Sequence, residues 1–114
     1  AVRYFEAFKN IDAITCLTPN KGMEYVYQMY TILLDNNKHR DELQDFLKKR
    51  GIMTKIYFEP AHLKTFYRKK GFSKGDFPVT EDLSGRVLTL PMYVDLSEED
   101  HSLIISSVQE FFGK

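Results

Sequence analysis

Apolar and polar positions alternate along this chain with periods that change every ten residues or so. Across residues 2–9 the spacing is helical. Val2, Phe5, Ala7 and Phe8 fall on one side and Arg3, Glu6 and Lys9 on the other. Residues 11–17 are short and β-branched and read as a strand, followed by the turn cluster Thr18-Pro19-Asn20-Lys21-Gly22. Residues 25–34 (Tyr-Val-Tyr-Gln-Met-Tyr-Thr-Ile-Leu-Leu) form the strongest strand pattern in the chain. Large side chains occupy both of its faces, which predicts cover on both sides. Asp35-Asn36-Asn37 ends it.

A helix is predicted over 39–50, capped by Asn37, with Asp41 and Glu42 near its positive end and Lys48, Lys49 and Arg50 at its negative end. Leu43, Phe46 and Leu47 make its buried stripe, and Gly51 supplies the left-handed stop. Residues 54–58 read as a second strong strand ended by Pro60, and 63–70 as a short basic helix stopped by Gly71. Phe77-Pro78-Val79-Thr80-Glu81 has the form of a helix start, with proline in the first turn, and predicts a helix to about Gly85. Residues 87–90 are a short strand closed by Pro91. A last helix begins at Ser97, where Ser97-Glu98-Glu99-Asp100 resembles a capping box with a shortened acid. Leu103, Ile104, Val108, Phe111 and Phe112 form its apolar side. This order predicts an α+β fold: a small, mainly antiparallel sheet with helices packed on one face and a partly apolar opposite face.

Composition narrows the picture. The 114 residues suit one domain, and 43% hydrophobic content is enough for a core and excludes long-range disorder. Sixteen basic and sixteen acidic residues cancel, which argues against a dedicated nucleic-acid binder. One cysteine, Cys16, excludes an internal disulfide and an all-cysteine zinc site. No apolar run is long enough for a membrane span and no secretory leader opens the chain, so a cytoplasmic location is expected. The chain starts without methionine inside a helical pattern, as expected of a cut within a longer protein or of a trimmed chain.

Few residues invite chemistry. His39 and His101 stand in first helical turns and read as surface polar groups, and no histidine pair has metal-ligand spacing. His62 follows Tyr57-Phe58-Glu59-Pro60-Ala61 at the junction of a strand end and a helix start, where ligand contacts are common; helix capping or packing is the other reading. Cys16 reads as a small core hydrophobe. The glycines of residues 71–76 lack a phosphate-loop pattern. Lys64, Arg68, Lys69, Lys70 and Lys74 interleave with Phe66, Tyr67 and Phe72, a mixture able to hold single-stranded nucleic acid. Helical spacing puts Leu63, Phe66 and Tyr67 in one stripe, which favours a helix with a solvated basic side and a buried aromatic side over a nucleic-acid-binding surface.

The order of these segments is itself a signature. Gly51-Ile52-Met53-Thr54-Lys55-Ile56-Tyr57-Phe58-Glu59-Pro60-Ala61-His62-Leu63 is followed by Phe66-Tyr67-Arg68, by Gly75-Asp76-Phe77-Pro78-Val79-Thr80-Glu81 and by Val87-Leu88-Thr89-Leu90-Pro91-Met92-Tyr93. Arg40, Leu43 and Leu47 precede them and the acidic helix start at Ser97 closes the series. This layout resembles the C-terminal domain of the DegT/DnrJ/StrS family of pyridoxal-phosphate (PLP) dependent nucleotide-sugar aminotransferases, over nearly the whole chain.

The resemblance implies a small domain of the fold-type I kind. In such enzymes a large N-terminal domain carries the Schiff-base lysine and most cofactor contacts, and the small domain closes the site. It implies PLP, a nucleotide-linked keto-sugar and a homodimer for the full-length parent, with no cofactor, catalytic residue, metal, nucleic acid or membrane for this chain alone. Tyr57 and His62 fall where the family places groups that face the sugar nucleotide, and Lys55 is a charge near phosphate. The isolated chain is expected to be inactive, because one domain supplies too few convergent groups for PLP. The alternative reading is a free-standing α+β module for small-ligand binding or dimerisation.

Overall fold

The computed structural model describes residues 1–113. The elements run α1 (Val2–Phe8), β1 (Ile14–Cys16), β2 (Tyr30–Leu34), α2 (Asn37–Lys49), a 3-10 turn (Ala61–Leu63), α3 (Thr65–Arg68), α4 (Pro78–Arg86), β3 (Val87–Leu90) and α5 (Glu98–Phe111). The three strands form an antiparallel sheet in the order β1-β2-β3, with Ile14 opposite Leu34 and Tyr30 opposite Leu90. Alternation along β2 sends Tyr30, Ile32 and Leu34 to the core face, where Leu88 and Leu90 of β3 join them. Helices α1, α2 and α5 cover that face with Tyr4, Phe8, Leu43, Leu47, Ile104 and Val108, all buried. The α+β class and the one-sided helical layer are as the sequence predicts. No helix among the described residues is long and apolar enough to cross a membrane.

Local chemistry explains the helix ends. The left-handed Gly51 (φ 77°) lets its own N–H donate to Lys48 O and the Ile52 N–H donate to Leu47 O, both at 3.0 Å, while Ile52 turns into the core. Ser97 Oγ accepts from the Asp100 N–H at 3.0 Å and donates to Asp100 Oδ2 at 2.8 Å. The short acid therefore caps through the hydroxyl instead of the backbone amide that a longer glutamate would reach.

Five expectations are corrected. Residues 25–29 are not strand: Tyr27 adopts φ 47°, a left-handed conformation that breaks an extended run, and Val26 is 95% exposed. Residues 54–58 are not a strand either; only Lys55 pairs, in an isolated bridge to Thr89. The α2 cap is Asn36, whose Oδ1 accepts from the His39 N–H at 2.8 Å. Asn37 is drawn into the helix and donates to Gly85 O at 2.8 Å. Leu103 is half-exposed, outside the buried stripe of α5. The predicted basic helix is divided between the 3-10 turn and the four-residue α3, which buries none of its residues, so Phe66 points outward.

Candidate functional site

The segment after α2 owes its position to one residue. Lys55 donates its N–H to Thr89 O at 3.0 Å and accepts from the Thr89 N–H at 2.8 Å, which lays residues 53–57 along the free edge of β3. Behind this bridge the Thr31 and Thr89 hydroxyls meet at 2.8 Å. Tyr57 follows two residues on, pointing to the same side of the segment as Lys55, and the Lys55 ammonium lies 5.7 Å from the centre of its ring. The Tyr57–Phe58 peptide is cis.

Two clefts meet at Tyr57. One, of about 200 Å³, is lined by Lys55 and Tyr57 together with Gln28, Met29, Met53 and Met92. The other, of about 310 Å³, lies between Tyr57, Phe58 and Pro60 on one side and Thr80, Leu83 and Val87 on the other. Tyr57 is a shared wall with its ring partly exposed, and Lys55 is exposed beside it. A phenol and an ammonium at the rim of apolar clefts supply a hydrogen bond and a positive charge, which suits an anionic, hydroxyl-rich ligand.

His62 is placed apart from this pair. It belongs to the 3-10 turn and is buried, with its ring 4.8 Å from that of Phe77. Its Nε2 is 2.8 Å from Glu81 Oε1. The same Glu81 oxygen accepts the Gly75 N–H at 2.8 Å. That amide, and then His62, hold the Glu81 carboxyl below the usual carboxylate range. The structure thus brings Lys55 and Tyr57 together and sets His62 behind their loop. The sequence pattern does not single out Glu81 or Thr89 as a site residue. The acid in the first turn after Pro78 is a visible sign of the former, whereas nothing local marks the latter.

The other candidates sort simply. His39 Nδ1 lies 2.7 Å from Asp35 Oδ1 at the start of α2. His101 differs from the surface reading: its Nε2 is buried without a partner, and its ring stands edge-on to Tyr4 at 4.3 Å. Burial, and then the nearby Arg3, push its pKa down. Cys16 is half-buried, and burial pushes its thiol up, away from the reactive thiolate. No cluster of metal-binding side chains occurs among the described residues.

Comparison with known proteins gives these features a context. The model of the DegT/DnrJ/EryC1/StrS aminotransferase family matches residues 1–109. An aminotransferase of that description from Brucella abortus is 38% identical, and its crystal structure superposes with a TM-score of 0.82 over 99% of this chain and 29% of its own. A pleiotropic regulatory protein of Geobacillus stearothermophilus is 35% identical over 84% of this chain and 26% of its own length. The aminotransferase TlmJ from Streptoalloteichus hindustanus is 27% identical, with a TM-score of 0.85 over 96% of this chain and 29% of its own. The chain therefore spans less than a third of the length of these relatives.

The described residues do not by themselves fit PLP. An internal-aldimine lysine has to be desolvated to be an amine at neutral pH, and every lysine among the described residues is exposed. The Lys55–Tyr57 pair offers one cation and one hydroxyl, too few to hold a phosphate, a pyridine nitrogen and a Schiff base together.

Proposed function

The chain belongs to the DegT/DnrJ/EryC1/StrS aminotransferase family, and we propose that it is the C-terminal small domain of a PLP-dependent aminotransferase that acts on nucleotide-linked keto-sugars in amino-sugar biosynthesis. In this reading the cofactor and its lysine belong to the N-terminal remainder of a longer protein. The parent is a cytoplasmic homodimer, and this domain closes the site over substrate. Lys55 faces a phosphate and Tyr57 hydrogen-bonds the sugar. His62 serves the same ligand by holding the loop that carries Tyr57. Catalysis here consists of orienting and enclosing the substrate, with no proton held or moved by this chain's own residues. Alone, the chain transfers no amine.

The observation that carries the reading is the placement of Lys55 and Tyr57 side by side where two clefts meet, on a segment tied to the sheet by a single bridge. The exposed Phe58 and Phe66 nearby are consistent with a surface completed by further protein. Steady-state kinetics on the longer protein test it. Tyr57→Phe and Lys55→Ala should each raise KM for the keto-sugar roughly fivefold or more, as loss of one hydrogen bond or charge does, with little change in kcat. An unaltered KM in both variants would remove these residues from the site. Turnover by the isolated chain supplied with PLP would favour a self-sufficient module.

A further inference from the structure

The carboxylate of Glu81 has a position that the substrate reading leaves unused. It stands in the first turn of α4, where its backbone N–H donates to Phe77 O at 3.0 Å. Its side chain is turned inward and is only 15% exposed. One oxygen, Oε1, takes two donors from two different loops: the His62 ring and the Gly75 N–H, each at 2.8 Å. The His62 side chain is only 8% exposed and packs on Phe77, so its ring has little room to turn away. Gly75 (φ 99°) holds a left-handed turn that points its amide at the carboxylate. That turn is closed by the Ser73 N–H donating to Asp76 Oδ2 at 2.7 Å.

We infer that Glu81 is the positioning residue of the Tyr57 loop, a single inward-turned acceptor that fastens the 3-10 turn after Pro60 and the glycine turn before Phe77 to helix α4. Pro60 limits the backbone on one side of Tyr57 and the Lys55–Thr89 bridge fixes the other. Between them the path of residues 57–63 depends on where His62 is anchored. Without the Glu81 acceptor, the buried His62 ring and the exposed Gly75 amide lose their shared partner at once, and both loops gain freedom while the sheet core keeps its contacts. His62 then acts through Tyr57, because its Nε2 is committed to Glu81 and its side chain is held against Phe77. The effect on ligand binding rests on the substrate-facing reading of Lys55 and Tyr57; the anchoring of the loops does not.

Hydrogen exchange and histidine ring-nitrogen NMR on the full chain test the anchoring without any ligand. Glu81→Ala should speed amide exchange about tenfold or more in both 57–63 and 73–77 and leave the Ile32 and Leu88 amides protected. The His62 ring-nitrogen shifts should move with it. Glu81→Gln retains an acceptor oxygen and should restore most of the protection in both segments. Unchanged exchange in either segment, equal loss in the core, or a Gln variant as loose as the Ala variant would overturn the inference. Kinetics of the longer protein separate the two claims. Coupled loosening in Glu81→Ala with an unchanged KM for the keto-sugar leaves Glu81 as the anchor and tells against the substrate role of Tyr57 alone.

Discussion

Lys55 and Thr89 are thirty-four positions apart in sequence and exchange both of their backbone hydrogen bonds, at 3.0 and 2.8 Å. No other residue of the 53–58 segment pairs with the sheet, so this bridge fixes where the chain enters the Tyr57 loop. Backbone and side chain at position 55 should therefore separate experimentally. Lys55→Pro removes the N–H and should cost about 1–3 kcal/mol in urea unfolding, with exchange protection lost at Thr89. Lys55→Ala keeps the bridge and should stay within about 0.5 kcal/mol of the parent. Equal stability of the two variants would mean that the bridge contributes nothing.

The core face is specific about which leucines matter. Leu88 of β3 is fully buried between α-helices and β2, and Leu103 of α5 is half-exposed although both belong to apolar patterns. Leu88→Ala should lose about 2–5 kcal/mol through transfer and cavity terms. Leu103→Ala should change little, within about 1 kcal/mol, because most of its surface already meets water. Chemical denaturation of the pair gives the comparison directly, and a larger loss at Leu103 would contradict the packing described.

Two adjacent asparagines divide their work at the start of α2. Asn36 accepts the His39 amide as a cap, and Asn37 reaches Gly85 across to α4. Asn36→Ala should cost about 0.5–2 kcal/mol, in the usual range for a lost cap. Asn37→Ala removes an exposed contact only and should cost less. Thermal melts ranking Asn37 above Asn36 would reverse this assignment.

Acid should weaken the fold from near neutrality downward. His101 is held below its ordinary pKa by burial and by Arg3, so the unfolded chain takes up a proton near pH ~6.5 that the native chain resists. Its contribution is complete above that pH and declines as pH falls towards the native pKa. The carboxyls of Glu81, held by the Gly75 amide and then His62, and of Glu110, held by the Arg50 hydrogen bond, are also lowered. Their contribution is complete above about pH 4.5 and is lost as pH falls through their native values. Urea midpoints at several pH values should show both declines. His101→Phe should flatten the upper one while leaving the lower, and an unchanged slope between pH 7 and 5 would exclude His101 as its source.

Much of this was legible in the residues. The helix from Pro78, the stop at Gly51 and the cap at Ser97 are local devices whose partners lie within a few positions, and the structure shows each of them. The strand pattern misled where it was strongest. Residues 25–29 carry β-forming side chains, yet they find no neighbour to pair with and Tyr27 turns out of the extended region. Residues 54–58 failed similarly, because the edge of the four-residue β3 offers them a single bridge.

The amino-acid order alone determined the class of fold, the boundaries of the longer helices to within a residue or two, the likeness to an aminotransferase family and the interest of Lys55, Tyr57 and His62. Tertiary structure decided which of those three share a cleft, that His62 is spoken for by Glu81 nineteen residues away, and that Thr89 holds the loop. The division has a physical cause. Turns and caps satisfy backbone groups from their own neighbourhood, so they can be read from short patterns. The partner of an edge strand or an inward-turned acid is chosen by how distant segments pack, and no local pattern records that choice.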